Sequence, residues 1–558
     1  MEAEEKNDDN ENEEKKRVKK DGQKVEAEKD EETKEVNKYE KKDKAKKDKA
    51  KNDEKEEDEK ENKQKQRKQE GKEESKRDDE TKDYEEKNEE HKEKNKEDEN
   101  KVEEKKEDEA IDLGHFVHLT DAHIDLNYAK QPESNFSCWN ENLGMFGNPF
   151  CDSPEALVDA ALAEVRNRLP NPDFIVYTGD TYIHLEFEYP TEQVLKALRV
   201  FQQKLDEYFP NTPAYQVLGN HDYSPRDLLP DSRNVVYETA ANLWRKWLTG
   251  NTTKLANFGY YSQRLVNGHI LAALNTNLYF KDNFIHFENE QDPGGQLAWL
   301  ENLLEKATYS GKKVHIIAHI PPGSSSGFSQ WYMEPNLESR FIQVLQKFPT
   351  TVGLMLFGHE HKDSFRLLTT AEGKVLNFAL ISPAVTPYEN PWELDGAINP
   401  SFRLLTYDRK SFDIHEISTY NLNLLESNLQ RRAIWRLQYN FTQQYKIKAP
   451  LSAGKMETLL RKLKKDNDLF DRYFENYYGS FNASSSCDLL CKQSHLCAIE
   501  YLDLTTYNAC LESGERILVW LPYLVIGVLL GLIVFIILLY LCYQRPKMQR
   551  IGKYAVLH

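Results

Sequence analysis

The chain of 558 residues predicts an α/β fold, and two observations carry that expectation. Short apolar runs that end in polar or glycine residues, "FVHLTD", "FIVYTGD", "AYQVLGN", "VHIIAH" and "GLMLFGH", read as strands. Amphipathic segments stand between them, and that alternation is the pattern of helices packed on sheets. "SPEALVDAALAEVRNRL" opens with Ser153 as the expected N-cap and Pro154 at the first helical position. Further helices are expected at "TEQVLKALRVFQQKLDEYF", "VVYETAANLWRKWL", "GQLAWLENLLEKA" and "LESRFIQVLQKF", and further strands at "ILAALNTN", "VLNFALIS" and "FRLLTYD". After about residue 420 the pattern turns helical, with "METLLRKLKKDNDLFDRYFENYYGS" ahead of a cysteine cluster. A packing appendage is the expected role of residues 421–515, with a lid or membrane-facing surface as the rival reading.

Five of these predicted strand ends carry metal-ligand chemistry. Asp121 and His123, Asp180, Asn220, His319, and the pair His359 and His361 follow the five runs in order. Ligand sites in open α/β sheets lie at the carboxyl ends of strands, so position and chemistry agree. The seven donors are nitrogen and oxygen with no thiolate, a set that suits zinc, manganese or iron in a two-metal site. A group of hydrogen-bonded core histidines would have to coincide with five strand ends at once. Glu360 is expected to point away from the metals, and His115, His118 and His315 read as satisfied core residues. His221, followed by Asp222, is the first candidate proton donor, because a neighbouring carboxylate can orient an imidazole and raise its pKa. His184 is the second. For both, a hydrogen bond to a ligand or phosphate oxygen without proton transfer is the plainer alternative.

Composition divides the chain further. Residues 1–110 hold 34 Lys/Arg and 45 Asp/Glu with two tyrosines as their only aromatics, too little to bury a core. The expectation there is a disordered or solvated charged leader. "KKRVKK" is too diluted by acidic neighbours to read as a basic address. The remaining chain is mildly acidic and shows no nucleic-acid footprint, so polymeric nucleic acid is not an expected partner and phosphate affinity must come from metals. Residues 517–543 run without a charge, long enough to cross a bilayer, and Arg545, Lys547, Arg550 and Lys553 follow. The positive-inside rule then puts residues 544–558 in the cytosol and the catalytic region outside or in an endolysosomal lumen, a single-pass type I arrangement. Six of seven cysteines and the sequons at Asn135, Asn251, Asn440 and Asn482 lie on the expected lumenal side. No apolar signal segment occurs in the first 110 residues, and the expectation is that this leader is a mispredicted start.

The ordered motifs resemble the calcineurin-like metallophosphoesterases over about residues 113–420. "LTDAHIDLNY", "GNPFCDSP", "YTGDTYIH", "VLGNHDY", "IIAHIPPG", "ISPAVTP" and "ESNLQRRAIWRLQYNFTQQY" extend the resemblance to the acid sphingomyelinase-like phosphodiesterases, and it runs to about residue 511. No cysteine precedes Cys138, so the saposin-less branch is the better match. Ile183 stands where purple acid phosphatases carry an iron-binding tyrosine. The resemblance implies two facing mixed sheets flanked by helices over 111–420. It implies two divalent metals, read as zinc, with Asp121, His123, Asp180 and His361 on one and Asp180, Asn220, His319 and His359 on the other. It also implies bridges Cys138–Cys151, Cys487–Cys491 and Cys497–Cys510, a choice among fifteen connectivities open to the sequence alone. The implied activity is hydrolysis of phosphate ester or anhydride bonds in nucleotides and related small substrates by a metal-bridged hydroxide. The alternatives are release of phosphocholine from sphingomyelin and a catalytically idle receptor-like membrane protein.

Overall fold

A computed structural model describes residues 111–130, 143–184, 189–325, 331–388, 397–481 and 487–554. The chain divides into two units, 1–110 and 111–558, and the first lies outside the described residues. Fourteen strands follow in order among the described residues: β1 (Leu113–Leu119), β2 (Ile124–Asp125), β3 (Ser153–Pro154), β4 (Phe174–Tyr177), β5 (Ala214–Gln216), β6 (Tyr261–Arg264), β7 (Ile270–Ala273), β8 (Val314–Ile317), β9 (Val352–Phe357), β10 (Ser364–Thr369), β11 (Val375–Ile381), β12 (Ser401–Asp408), β13 (Ile414–Leu422) and β14 (Trp435–Asn440). They build two six-stranded sheets, ordered β14-β13-β12-β1-β4-β5 and β10-β11-β9-β8-β7-β6. Both are mixed. In the first, β1, β4 and β5 run parallel and the rest antiparallel. In the second, β7, β8, β9 and β11 run parallel between two antiparallel edges.

Strand side chains alternate between two buried faces, which explains the continuous apolar runs. On β4, Phe174 and Val176 enter the core between the sheets, while Ile175 and Tyr177 pack under the helices Glu155–Arg168 and Thr191–Tyr208. On β9, Leu354 and Leu356 face inward and Met355 and Phe357 face outward, toward the helices Gln296–Tyr309 and Pro335–Lys347. The result is four layers, helix on sheet on sheet on helix.

Several expectations change here. The first helix starts at Glu155 with Pro154 at its N-cap position and no side-chain cap, because Ser153 and Pro154 pair as β3 with Ile124 and Asp125. Past residue 420 the chain is not all helical, since β14 extends the first sheet through antiparallel pairing with β13. The helices Ala453–Lys465, Asn467–Tyr477 and Leu489–Glu500 share the inter-sheet core through Met456, Leu460, Phe470, Tyr473 and Ile499. His118 and His315 are buried as expected, but His115, near the start of the interior strand β1, is exposed and bonded to Thr406. The bridges Cys487–Cys491 and Cys497–Cys510 are present. Cys151 is disulfide-bonded, while Cys138, Asn135 and Asn482 lie outside the described residues.

Among the described residues, no helix is long and apolar enough to cross a membrane. The helix Leu504–Tyr554 contains the expected span 517–543. Its described apolar side chains, Ile526 to Leu541, are exposed and by themselves fall short of the about 20 residues a crossing needs.

A buried ion pair ties the two sheets. Arg403 of β12 bonds Asp363, which precedes β10, and Tyr439 of β14 donates to the same carboxylate at 2.8 Å. Burial pushes the Asp363 pKa up, against the opposing pull of Arg403. Arg403→Met leaves that carboxylate buried without its cation, which should cost about 3–5 kcal/mol. Thermal unfolding at one scan rate should therefore show a markedly lower midpoint, restored in large part by adding Asp363→Leu. A single variant that melts with the parent protein would refute this account.

Candidate metal centre

Five loops converge between the carboxyl ends of the two sheets. β1, β4 and β5 deliver Asp121, His123, Asp180 and Asn220 from one sheet; β8 and β9 deliver His319, His359 and His361 from the other. All seven expected ligands meet there. His123 Nε2 lies 3.4 Å from Asp180 Oδ2 and 3.2 Å from His361 Nε2, and His361 Nε2 lies 3.5 Å from Asp121 Oδ1. On the other side, His319 Nε2 lies 3.1 Å from Asp180 Oδ2 and 2.9 Å from Asn220 Oδ1, and His359 Nδ1 lies 3.0 Å from Asn220 Oδ1. Asp180 Oδ2 belongs to both groups.

The donors fit a pair of cations. Ligands bound about 2.0–2.2 Å from a metal sit about 3.0–3.5 Å from one another, the spacing found here. His123 Nδ1 and His319 Nδ1 each lie 2.7 Å from a carbonyl oxygen, of Tyr182 and Thr178. A carbonyl only accepts, so each Nδ1 carries a proton, which leaves Nε2 as the ring atom able to ligate. Burial keeps His123 and His361 neutral and pushes His359 down to about 3. Burial opposes charge on His319 as well, but Asp180 outweighs it and lifts that histidine to about 9. Any proton that Asp180 holds on His319 Nε2 must leave for that nitrogen to bind a cation.

Backbone strain concentrates at these residues. Asp121, His123, Asp180, His359 and His361 have φ of 50°, 37°, 59°, 72° and 59°, the left-handed region that non-glycine residues seldom occupy. Two glycines make the room. A Cβ on Gly219 would fall 1.9 Å from Asp180 Oδ1, and one on Gly358 would fall 2.0 Å from Thr120 Oγ1.

The expected role of Asp222 does not hold. Its carboxylate accepts the backbone N–H groups of Asp180, Thr181, Tyr182 and Gly219 at 2.7–3.1 Å, so it fixes the two loops instead of the His221 ring. His221 Nδ1 has no partner, and burial followed by the nearby His184 pushes the His221 pKa well down. The oriented imidazole is His184. Its Nδ1 lies 2.7 Å from Asp152 Oδ1, its backbone N–H donates to Asp152 Oδ2 at 2.7 Å, and its ring stacks on Tyr388 and on His123. Burial works against the His184 charge, but Asp152 more than offsets it and the pKa is raised. Glu360 points away from the cluster and pairs with Arg366. Sequence reasoning missed Asp152 and also Asp227, which accepts from Asn220 Nδ2 at 2.8 Å and so turns Asn220 Oδ1 toward the metals. An acidic residue between Cys151 and the "SP" pair carried no local signal, because its partner lies 32 positions away.

Gly219→Ala should push the Asp180 carboxylate out of place, since the new methyl group overlaps it. Metal content and phosphodiester turnover should both fall, by about a hundredfold for turnover, with the far-ultraviolet spectrum retained. Full activity in this variant would show that Gly219 does not guard the bridge.

Comparison with known proteins agrees with this geometry. Residues 114–363 match the calcineurin-like phosphoesterase family and residues 374–517 the acid sphingomyelin phosphodiesterase C-terminal region. The chain is 33% identical over 417 residues to acid sphingomyelinase-like phosphodiesterase 3b of Mus musculus, covering 72% of this chain and 90% of that one. It is 33% identical over 419 residues to the cyclic GMP-AMP phosphodiesterase SMPDL3A of Homo sapiens, again covering 72% and 90%. Sphingomyelinase phosphodiesterase C of Dictyostelium discoideum is 26% identical over 417 residues, covering 71% and 92%. With a third of the aligned residues identical over nine-tenths of such relatives, the chain belongs to the acid sphingomyelinase-like phosphodiesterases, metal-dependent phosphoric diester hydrolases of the calcineurin-like phosphoesterase type.

Proposed function

We propose that the protein cleaves phosphate diester or anhydride bonds of nucleotides and related small substrates outside the cytosol, at two zinc ions. Asp121, His123, Asp180 and His361 hold one ion; Asp180, Asn220, His319 and His359 hold the other. The observation that carries this reading is the single oxygen, Asp180 Oδ2, standing 3.4 Å from His123 Nε2 and 3.1 Å from His319 Nε2. Four imidazoles among seven donors, with no thiolate, support zinc. Bound ions supply Lewis-acid charge to the phosphoryl group and acidify a water. Relatives bearing the name cyclic GMP-AMP phosphodiesterase, at 32–34% identity, support a nucleotide substrate.

The chain's own groups do the rest. Asp152 holds the proton on His184 Nδ1, so His184 Nε2 can deliver its proton to the departing oxygen and recover it from solvent. His221, neutral by burial and unpaired at Nδ1, hydrogen-bonds a phosphoryl oxygen. Asp222 keeps the Asp180 loop in its strained turn, and Asp227 keeps the Asn220 amide from flipping. The described disulfides support an oxidising compartment, and residues 517–543 support a membrane anchor for the catalytic unit.

Asp180→Asn should remove both metals together and lower turnover by about a thousandfold or more, as elemental analysis and a nucleotide-diester assay would read. Phosphocholine release from sphingomyelin vesicles, with no cleavage of nucleotide diesters, would overturn the substrate assignment.

His184→Ala should depress nucleoside-diester turnover by about a hundredfold while sparing a nitrophenyl diester, whose leaving group needs no proton. Equal losses on both substrates with metals retained would remove His184 from proton delivery.

Protein from a secretory host should gain gel mobility on glycosidase treatment. Asn251, exposed and bonded through its amide oxygen to Thr253, is the sequon expected to carry most of that change. An unglycosylated product confined to the cytosol would reject the orientation.

A further inference from the structure

Among the described residues, the metal centre leaves one group of ligand-type side chains unused. Cys487, Cys491 and His495 recur at every fourth position, and the latter two lie on one face of the helix Leu489–Glu500. Their ligand atoms, two Sγ and one imidazole nitrogen, lie within 4.8 Å of one another, and the two sulfurs form a disulfide. His495 is fully buried, yet neither ring nitrogen has a hydrogen-bond partner. Aromatic rings surround it instead: Phe470, Tyr473, Phe474 and Tyr477 lie nearly perpendicular to the imidazole with centroids 4.7–6.0 Å away. Burial, then Arg366, pushes its pKa down to about 3, so the imidazole keeps a free lone pair.

We propose that Cys487, Cys491 and His495 form a second, redox-gated metal site that binds zinc when the Cys487–Cys491 disulfide is reduced. A dithiol supplies the two electrons and two protons, passing them to the two sulfurs as it closes to its own disulfide. Zinc then displaces the two thiol protons into solvent, and His495 adds a neutral nitrogen ligand. The two half-buried cysteines leave the fourth position to water. Two thiolates cancel the charge of one divalent ion, so loading adds no net charge near Arg366. The four-residue step from Cys491 to His495 is a spacing that helical zinc ligands use. This site differs in kind from the catalytic pair, which contains no sulfur.

The test uses the full chain with its catalytic centre first saturated with zinc. The protein is reduced with dithiothreitol, desalted without oxygen, and alkylated with and without added Zn2+, and each cysteine is read by peptide mapping. Zinc should slow alkylation of Cys487 and Cys491 by about tenfold or more and leave Cys497 and Cys510 unaffected. Cobalt in place of zinc should give a thiolate charge-transfer band that Cys487→Ser/Cys491→Ser removes. His495→Ala should weaken the protection. Equal alkylation with and without zinc, protection shared evenly with Cys497 and Cys510, or protection unchanged by His495→Ala would each overturn the proposal.

Discussion

One buried carboxylate sets the terms for the structure around it. Asp180 sits where the two sheets meet, with Oδ1 accepting the His221 N–H at 2.9 Å and Oδ2 facing histidines from both sheets. A charge so deeply buried persists only if its surroundings repay the lost hydration. Here His319 Nε2 lies 3.1 Å from it, and bound cations would supply the same compensation. Loop conformation, glycine placement and the carboxylate nest of Asp222 all follow from keeping this group ionised, oriented and dry.

The polar network radiates outward from there. Glu360 separates two ligands in sequence and is drawn the other way by Arg366, which also donates to the Ser324 carbonyl at 2.7 Å. Arg403 and Asp363 repeat the device one layer deeper. The second pair joins the β9–β10 connection to β12, and the carboxyl-terminal helices share the inter-sheet core, so the cysteine-bearing region is part of the catalytic fold's own core.

The ligands were legible in the sequence because each stands immediately after an apolar run, where a strand must end and a loop can turn toward a shared cleft. The two-sheet architecture came from resemblance, since periodicity alone does not say which strands pair. What stayed hidden depended on contacts far apart in the chain. His184 finds Asp152 across a loop, and Asp222, adjacent to His221, turns its carboxylate to backbone N–H groups instead. Adjacency suggested a dyad that the turn geometry forbids. β14 was missed for a related reason: "WRLQYN" has only Trp435 and Tyr439 buried, too sparse a stripe to announce a strand before its neighbour β13 is known.

The left-handed turns at Asp121, His123, Asp180, His359 and His361 restrict this enzyme's evolution beyond what coordination requires. Only side chains that tolerate that conformation are admissible, and asparagine, aspartate and histidine are the types enriched there. Backbone and metal therefore draw on the same short alphabet of residues. Exchange among those types keeps the turn while altering charge and metal preference, whereas a β-branched residue is barred before chemistry is consulted. Lineages can drift in metal and substrate within that alphabet without remaking the loops.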